Sequence, residues 1–248
     1  MATFIIADLH LSESQPILTN ALSNFYERNT ILNDRVIIAG DMFDFFVGVD
    51  PNSAFQQKIK AIITKAKQRG VITMFQAGNR DFLLDEAAAE YFGMKLIKDF
   101  YILNTSKGKA LLLHGDQLCL HDRSYQTFRA IVKNRFIRFC FMLLPLSVRT
   151  SIAQKIRNKS QEQENRRAEY SEKILQNPTV KKAGATFLQK TGCTLLIHGH
   201  FHVFGGEQNA FGDGLSRLGL GMWDSHYSYI KIDRTDFKLV QRAMEKNF

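Results

Sequence analysis

Residues 3–10 read TFIIADLH, an uncharged run from Thr3 to Ala7 that closes on Asp8 and His10. A run this short, rich in Ile and Phe and uncharged along its length, is the pattern of a strand buried on both faces. The pattern recurs in RVIIAGD (35–41), ITMFQAGN (72–79), ALLLHGD (110–116) and TLLIHGH (194–200). Each run ends in a residue able to bind metal. Between the first three lie residues 17–28 and 55–69, which carry apolar side chains at three- and four-residue spacing, with Gly70 as a stop signal. Strand–helix–strand alternation predicts a layered α/β fold. After His202 the segments RLGLGMW, SYIKI and FKLVQRA follow without long helices between them, predicting a second, more antiparallel sheet. Residues from about 123 to 185 are mostly helical and interrupt the alternation, so they read as a cap inserted into a single domain spanning 1–248.

The chain has 248 residues, 45% of them hydrophobic, with 33 Lys+Arg against 24 Asp+Glu, a formal charge of +9. That composition is globular. Cys119, Cys140 and Cys193 form no CxxC pair, which argues against a disulfide framework or a thiolate zinc site. No secretory signal is expected, since the first strand-like run starts at Met1 without a basic region. The longest apolar stretch, residues 139–148, is broken by Pro145 and falls short of the roughly 20 residues of a spanning helix. Secreted, disordered, collagen-like and transmembrane classes are excluded on these grounds.

The charge is concentrated. Residues 129–167 hold ten Lys or Arg against Glu162 and Glu164, a local charge of +8. The same segment contains FIRFCFMLLPLSV (136–148). A basic, apolar segment suits an anionic membrane surface or an amphiphilic anion. Nucleic acid is the weaker reading, because the aromatic residues are clumped rather than spaced for stacking on bases. The simplest alternative is a helical hairpin that packs its apolar face on the main body and leaves a solvated basic rim.

Ligands of open α/β sheets collect beyond the carboxyl ends of the strands. Asp8 and His10, two apart, would face the same way in extended backbone. Asp41, Asn79, His114, His200 and His202 complete seven candidate metal ligands: three carboxylate or amide oxygens and four imidazoles. That number serves two ions sharing one carboxylate, and a mixed N/O set without thiolate suits Mn²⁺, Fe²⁺ or Zn²⁺. Any one of these residues alone reads as a helix cap or a structural histidine. Five strand ends carrying the same chemistry do not.

In order, DLH, GDMFD, GNRD, HGD and GHFH resemble the signature of the calcineurin-like metallophosphoesterases, across residues 1–120 and 194–232. The resemblance implies an αββα sandwich, here with an inserted helical cap, and a dinuclear centre. Asp8, His10, Asp41 and His202 would hold one ion, and Asp41, Asn79, His114 and His200 the other. Many members carry His after the Asn of the third motif; this chain has Arg80. Arg cannot donate a proton near neutral pH, its pKa exceeding ~12, but it binds phosphate bidentately. An alkoxide with pKa ~15 leaves poorly without an acid, whereas a phosphate with pKa near ~6 does not need one. Arg80 therefore points to cleavage of a pyrophosphate, the plainer alternative being a pair with Asp81 or Asp85.

TFIIADLHLSESQP, GNRDFLL, LLLHGDQLCLHDRSYQTFRA, LPLSVR and IHGHFH further resemble one family within that group, the UDP-2,3-diacylglucosamine pyrophosphohydrolases of lipid A biosynthesis. This implies two Mn²⁺ ions and UDP-2,3-diacylglucosamine as substrate, with water attacking the α-phosphorus to give UMP and 2,3-diacylglucosamine 1-phosphate. It also implies a peripheral monomer on the cytoplasmic face of the bacterial inner membrane. Asp41, Arg80 and His200 would be catalytic. Asn79, Arg80, Asp122, Arg157, Ser160, Glu164, Arg167 and His200 would bind substrate, Glu164 standing where Asn is usual and Arg167 where Lys is. Phe136, Phe139, Phe141, Leu143, Leu144 and Ile152 are candidates for acyl contact. Asp44, His121, His198, Trp223 and His226 receive no role. Competing readings are a nucleotide phosphodiesterase or dinucleotide pyrophosphatase, a nuclease, and a non-catalytic, membrane-associated metal-binding scaffold.

Overall fold

Alternate residues of the first strands face two different cores, and this is why their buried positions carry no charge, Arg35 standing at the half-buried start of its run. In β1 (Thr3–Ile6) and β2 (Arg35–Ala39), Ile5 and Ile37 meet Leu112, Ile197 and Leu220 between two sheets. Phe4, Ile6, Val36 and Ile38 face outward beneath α1 (Pro16–Asn29) and α2 (Ala54–Gln68), where Leu22, Phe25, Ile59 and Ile63 are buried. The computed structural model describes residues 1–164 and 168–244, with the backbone alone for 158–164 and 168–170. The chain continues through β3 (Ile72–Gln76), α3 (Glu86–Tyr91), β4 (Lys95–Leu96), β5 (Tyr101–Thr105) and β6 (Gly108–Leu112). Then come α4 (Arg123–Lys133), α5 (Arg135–Met142), α6 (Leu146–Glu164), α7 (Ala168–Leu175) and α8 (Pro178–Thr191). It ends with β7 (Leu195–His198), β8 (Gly205–Glu207), β9 (Ser216–Gly219), β10 (His226–Ile232) and β11 (Phe237–Ala243).

The first sheet runs β11-β10-β1-β2-β3-β4 and the second β5-β6-β7-β9-β8. With helices on the outer faces, this is the two-sheet sandwich the resemblance implies. One expectation needs correction. The late strands do not form a sheet of their own: β10 and β11 extend the first sheet, with Ile5 opposite Ile230 antiparallel, while β9 lies parallel to β7 in the second. β1 would otherwise present an open edge, and β10 closes it.

The helices between β6 and β7 divide by burial. α4 and α5 contain no buried residue. α8 buries Val180, Ala183 and Leu188 against the second sheet, sharing a core with Leu111, Leu113 and Leu196. Asp122 and Asn134 cap the starts of α4 and α5 with their side-chain oxygens.

Candidate metal centre

The strands β1, β2, β3, β6 and β7 all deliver their C-terminal ends to one place. Asp8 and His10 do not reach it in extended backbone, as their spacing suggested. Their φ angles are 54° and 46°, and Asp41, His200 and His202 are also left-handed at 52°, 62° and 58°. Non-glycine residues at positive φ are uncommon and cost about 1–3 kcal/mol each, so five at one spot mark a functional constraint. The turns are held by the backbone: His10 N–H donates to Asp41 O at 3.0 Å, Leu11 N–H to Met42 O at 2.9 Å and Gly199 N–H to His114 O at 2.7 Å.

All seven candidate ligands converge. His10 Nε2 lies 3.3 Å from His202 Nε2, which is 3.6 Å from Asp8 Oδ1. Asn79 Oδ1 sits 3.0 Å from His114 Nε2 and 2.8 Å from His200 Nδ1. His114 Nε2 is 3.5 Å from Asp41 Oδ1. Asp8, His10 and His202 offer ligand atoms within 4.8 Å of one another, and so do Asp8, Asp41 and His114. Asp8 Oδ1 and His10 Nδ1 are buried without a hydrogen-bond partner. Orphaned polar atoms and imidazole nitrogens crowded together suit a cation, and the donor set is that of a first-row divalent metal. Close backbone approach makes the space: a Cβ on Gly78 would collide with Asp41 Oδ1, and one on Gly199 with Asp8 Oδ2.

The surroundings set the charge states. His114 Nδ1 lies 2.9 Å from the carbonyl of Ala39, which turns Nε2 into the site. Burial opposes charge on His114, yet Asp41, with Asp8 and Asp116, raises its pKa to about 10. Burial would push Asp41 up, but His114, His10 and Arg80 hold it far below the carboxylate range. Burial lowers His10 to about 4, aided by Arg80, and lowers His200 to about 4, aided by His114. His198, buried behind the site with Nδ1 2.9 Å from Gly199 O, is likewise lowered to about 4, chiefly by burial.

Arg80 does not pair with Asp81 or Asp85. Its Nε lies 3.5 Å from Asp41 Oδ2 and its Nη1 3.8 Å from Asp44 Oδ1. Asp85 caps α3, and Asp81 accepts backbone N–H groups from Gly78 at 2.8 Å and Met42 at 2.7 Å. Asp81 therefore ties the Asp41 loop to the Asn79 loop; burial and then Asp41 raise its pKa to about 7. Sequence reading gave Asp44 no role and offered Asp81 only as an alternative partner of Arg80, because acids in loops look like turn residues. It also passed over Asp116, which joins Tyr125 at 3.0 Å and Arg129 at 2.6 Å, and Cys119, whose Sγ lies 3.6 Å from His200 Nε2.

Of the residues expected on the insertion, Arg157 reaches the site's edge, its Nε 2.8 Å from Asp44 Oδ1. Asp122 accepts from Tyr125 N–H and Ser124 Oγ as a helix cap. Ser160 and Glu164 lie on α6 where the backbone alone is described, and Arg167 lies outside the described residues. Phe136, Phe139 and Leu143 are 74%, 61% and 69% exposed, whereas Phe141 packs against the core of the first sheet.

A profile of the calcineurin-like phosphoesterases matches residues 1–204. The chain belongs to the calcineurin-like phosphoesterase family. Among its curated relatives, the UDP-2,3-diacylglucosamine hydrolase of Haemophilus influenzae strain PittGG is 38% identical over 234 residues, 94% of this chain and 95% of that protein. The enzymes of the same name from Haemophilus ducreyi and Tolumonas auensis are 37% and 35% identical, covering 97% and 98% of this chain and 100% and 98% of theirs. An alignment of 234 residues in a chain of 248 spans the helical insertion as well as the metal centre. A phosphoesterase of this metal-dependent family binds divalent cations, and the cluster at the strand ends is where its donors gather. No helix among the described residues is long and apolar enough to cross a membrane.

Proposed function

We propose that the chain hydrolyses the diphosphate of UDP-2,3-diacylglucosamine, releasing UMP and 2,3-diacylglucosamine 1-phosphate in lipid A biosynthesis. The observation that carries this reading is a meeting of two surfaces. The insertion that exposes Phe136, Phe139 and Leu143 also sends Arg157 to Asp44, beside Arg80 and the ligand cluster. An apolar exterior joined to a cationic edge of a metal centre fits a substrate with acyl chains at one end and a diphosphate in the middle.

In this reading Asp8, His10, Asp41 and His202 would hold one Mn²⁺, and Asp41, Asn79, His114 and His200 would hold a second. Two such ions lower the pKa of a water and neutralise phosphoryl oxygens. Asp41 would be the shared carboxylate, with the Arg80 guanidinium 3.5 Å from its Oδ2 favouring the ionised form. His200, held neutral by burial, and Asn79 orient one phosphoryl oxygen. Arg80 faces the charge that develops on the departing phosphate, which needs no proton from it. Arg157, Ser160, Glu164 and Arg167 contact the glucosamine and its phosphate from the insertion, and Asp122 binds substrate just before it.

The insertion, about 123–185, acts as a cap on one catalytic domain of residues 1–248. The ten bases of residues 129–167 meet anionic headgroups on the cytoplasmic face of the inner membrane, where the chain sits peripherally as a monomer without nucleic acid.

The test is turnover by metal-depleted protein, restored with Mn²⁺, on UDP-2,3-diacylglucosamine in mixed detergent micelles. Release of UMP in preference to cleavage of a soluble dinucleotide is the expected result. Preference for the soluble dinucleotide would overturn the lipid assignment and leave the metal centre standing.

A further inference from the structure

Asp44 has no part in the chemistry described above, yet its position is tightly determined. Its N–H donates to Leu11 O at 3.0 Å, and Phe46 N–H donates to Arg80 O at 3.0 Å, so the loop after β2 is sewn to two neighbouring loops. Phe43 and Phe46, on either side, are buried. The carboxylate so held receives two guanidinium groups on one oxygen: Arg157 Nε at 2.8 Å, from α6, and Arg80 Nη1 at 3.8 Å, from the loop after β3. Both arginine side chains are largely buried, at 13% and 7% exposure. Two cations this close repel, and in a partly dehydrated setting the carboxylate they share offsets that repulsion.

We propose that Asp44 is a positioning residue that latches α6 over the strand ends by pairing Arg157 with Arg80, so that both guanidiniums face the diphosphate together. Its relevance to catalysis rests on the proposed function; the latch itself rests on geometry alone. A guanidinium has five donors in a fixed fork, so each arginine keeps Asp44 and still presents N–H groups to phosphate oxygens. Arg80 belongs to the body and Arg157 to the insertion. The carboxylate thereby makes insertion placement and assembly of the cationic edge one event.

Asp44→Asn keeps the shape and removes the shared charge that offsets the repulsion between the two arginines. On UDP-2,3-diacylglucosamine, kcat is expected to fall about tenfold or more while KM changes less than about threefold, because attraction persists and orientation does not. Asp44→Glu is expected to recover part of that loss. In the Asp44→Asn background, Arg157→Ala is expected to cost less than about threefold further, the non-additivity of residues in one network. A readout independent of activity is hydrogen–deuterium exchange, expected to quicken across residues 146–157 while residues 35–39 stay protected. Multiplicative kinetic losses, or α6 exchange equal to wild type, would overturn the proposal. If Asp44→Asn also unprotects residues 35–39, Arg157→Gln probes the same tie from the helix side and is held to the same two outcomes. A wild-type chain inert on the nucleotide lipid removes the functional reading, and the exchange measurement still decides the latch.

Discussion

Replacing Gly199 by Ala tests how the centre is built, because the new methyl group has nowhere to go. Its Cβ would collide with Asp8 Oδ2 and stand 2.9 Å from Ala7 Cβ. Ala7 is fully buried in the core between the sheets, so the Asp8 carboxylate must move instead. Moving it breaks the hydrogen bond from His200 N–H at 2.9 Å and withdraws an oxygen from the ligand cluster. Overpacking of this kind costs about 1–3 kcal/mol. In the metal-free protein part of that is relieved, since Asp8 Oδ1 has no hydrogen-bond partner to lose. The melting temperature should therefore fall by only a few degrees, at about 2–4 °C per kcal/mol for a chain of this size. Metal binding cannot escape the displacement, and the Mn²⁺ dissociation constant should rise about 10–100-fold. Calorimetric titration of metal-depleted protein, with melting curves with and without Mn²⁺, reads both quantities. A folded variant whose Mn²⁺ affinity stays within about threefold of wild type would refute the argument that Gly199 exists to seat Asp8.

Arg80→His should cost more activity on a pyrophosphate than on an aryl phosphodiester, since only the diester gains from a proton donor; equal losses would remove the leaving-group argument. Metal uptake at pH 7.5 should release about one proton from His114, because its raised pKa of about 10 keeps it charged in the metal-free fold while His10 and His200 are already neutral. Titrations in buffers of different ionisation enthalpy measure that proton. The same shift makes His114 stabilise the metal-free fold fully below its ordinary 6.5, a contribution lost as pH rises through about 10. Phe136→Asp with Phe139→Asp should leave the melting temperature nearly unchanged, both side chains being exposed, and lower activity in mixed micelles about tenfold. Unchanged micellar activity would place lipid contact elsewhere.

Much of the fold was legible because physics writes it into short runs. A strand segment buried on both faces excludes charge, and the buried stretches of β1, β2, β3, β6 and β7 obey, Arg35 and Lys109 falling at or next to the less buried starts of β2 and β6. Their metal-capable residues stand out because each falls where the uncharged run stops. The sheet to which β10 and β11 belong was not legible: their residues do not record that β1 has a free edge for them to close. Left-handed backbone at Asp8, His10, Asp41, His200 and His202 was equally hidden, since nothing marks a non-glycine residue that tertiary structure forces to positive φ. Asp81 and Asp44 illustrate a third limit. Each is a loop acid by sequence, and only the partners brought to it, backbone N–H groups for one and two arginines for the other, distinguish it from a turn residue.

In the proposed reaction, water activated where Asp41 joins the two halves of the ligand cluster attacks the α-phosphorus of UDP-2,3-diacylglucosamine. Turnover in ¹⁸O-labelled water with Mn²⁺, followed by mass spectrometry of both products, tests it directly. Attack at that phosphorus puts the label in UMP, and Asp41→Ala abolishes it. Label in the 2,3-diacylglucosamine 1-phosphate, or undiminished turnover by Asp41→Ala, would contradict it.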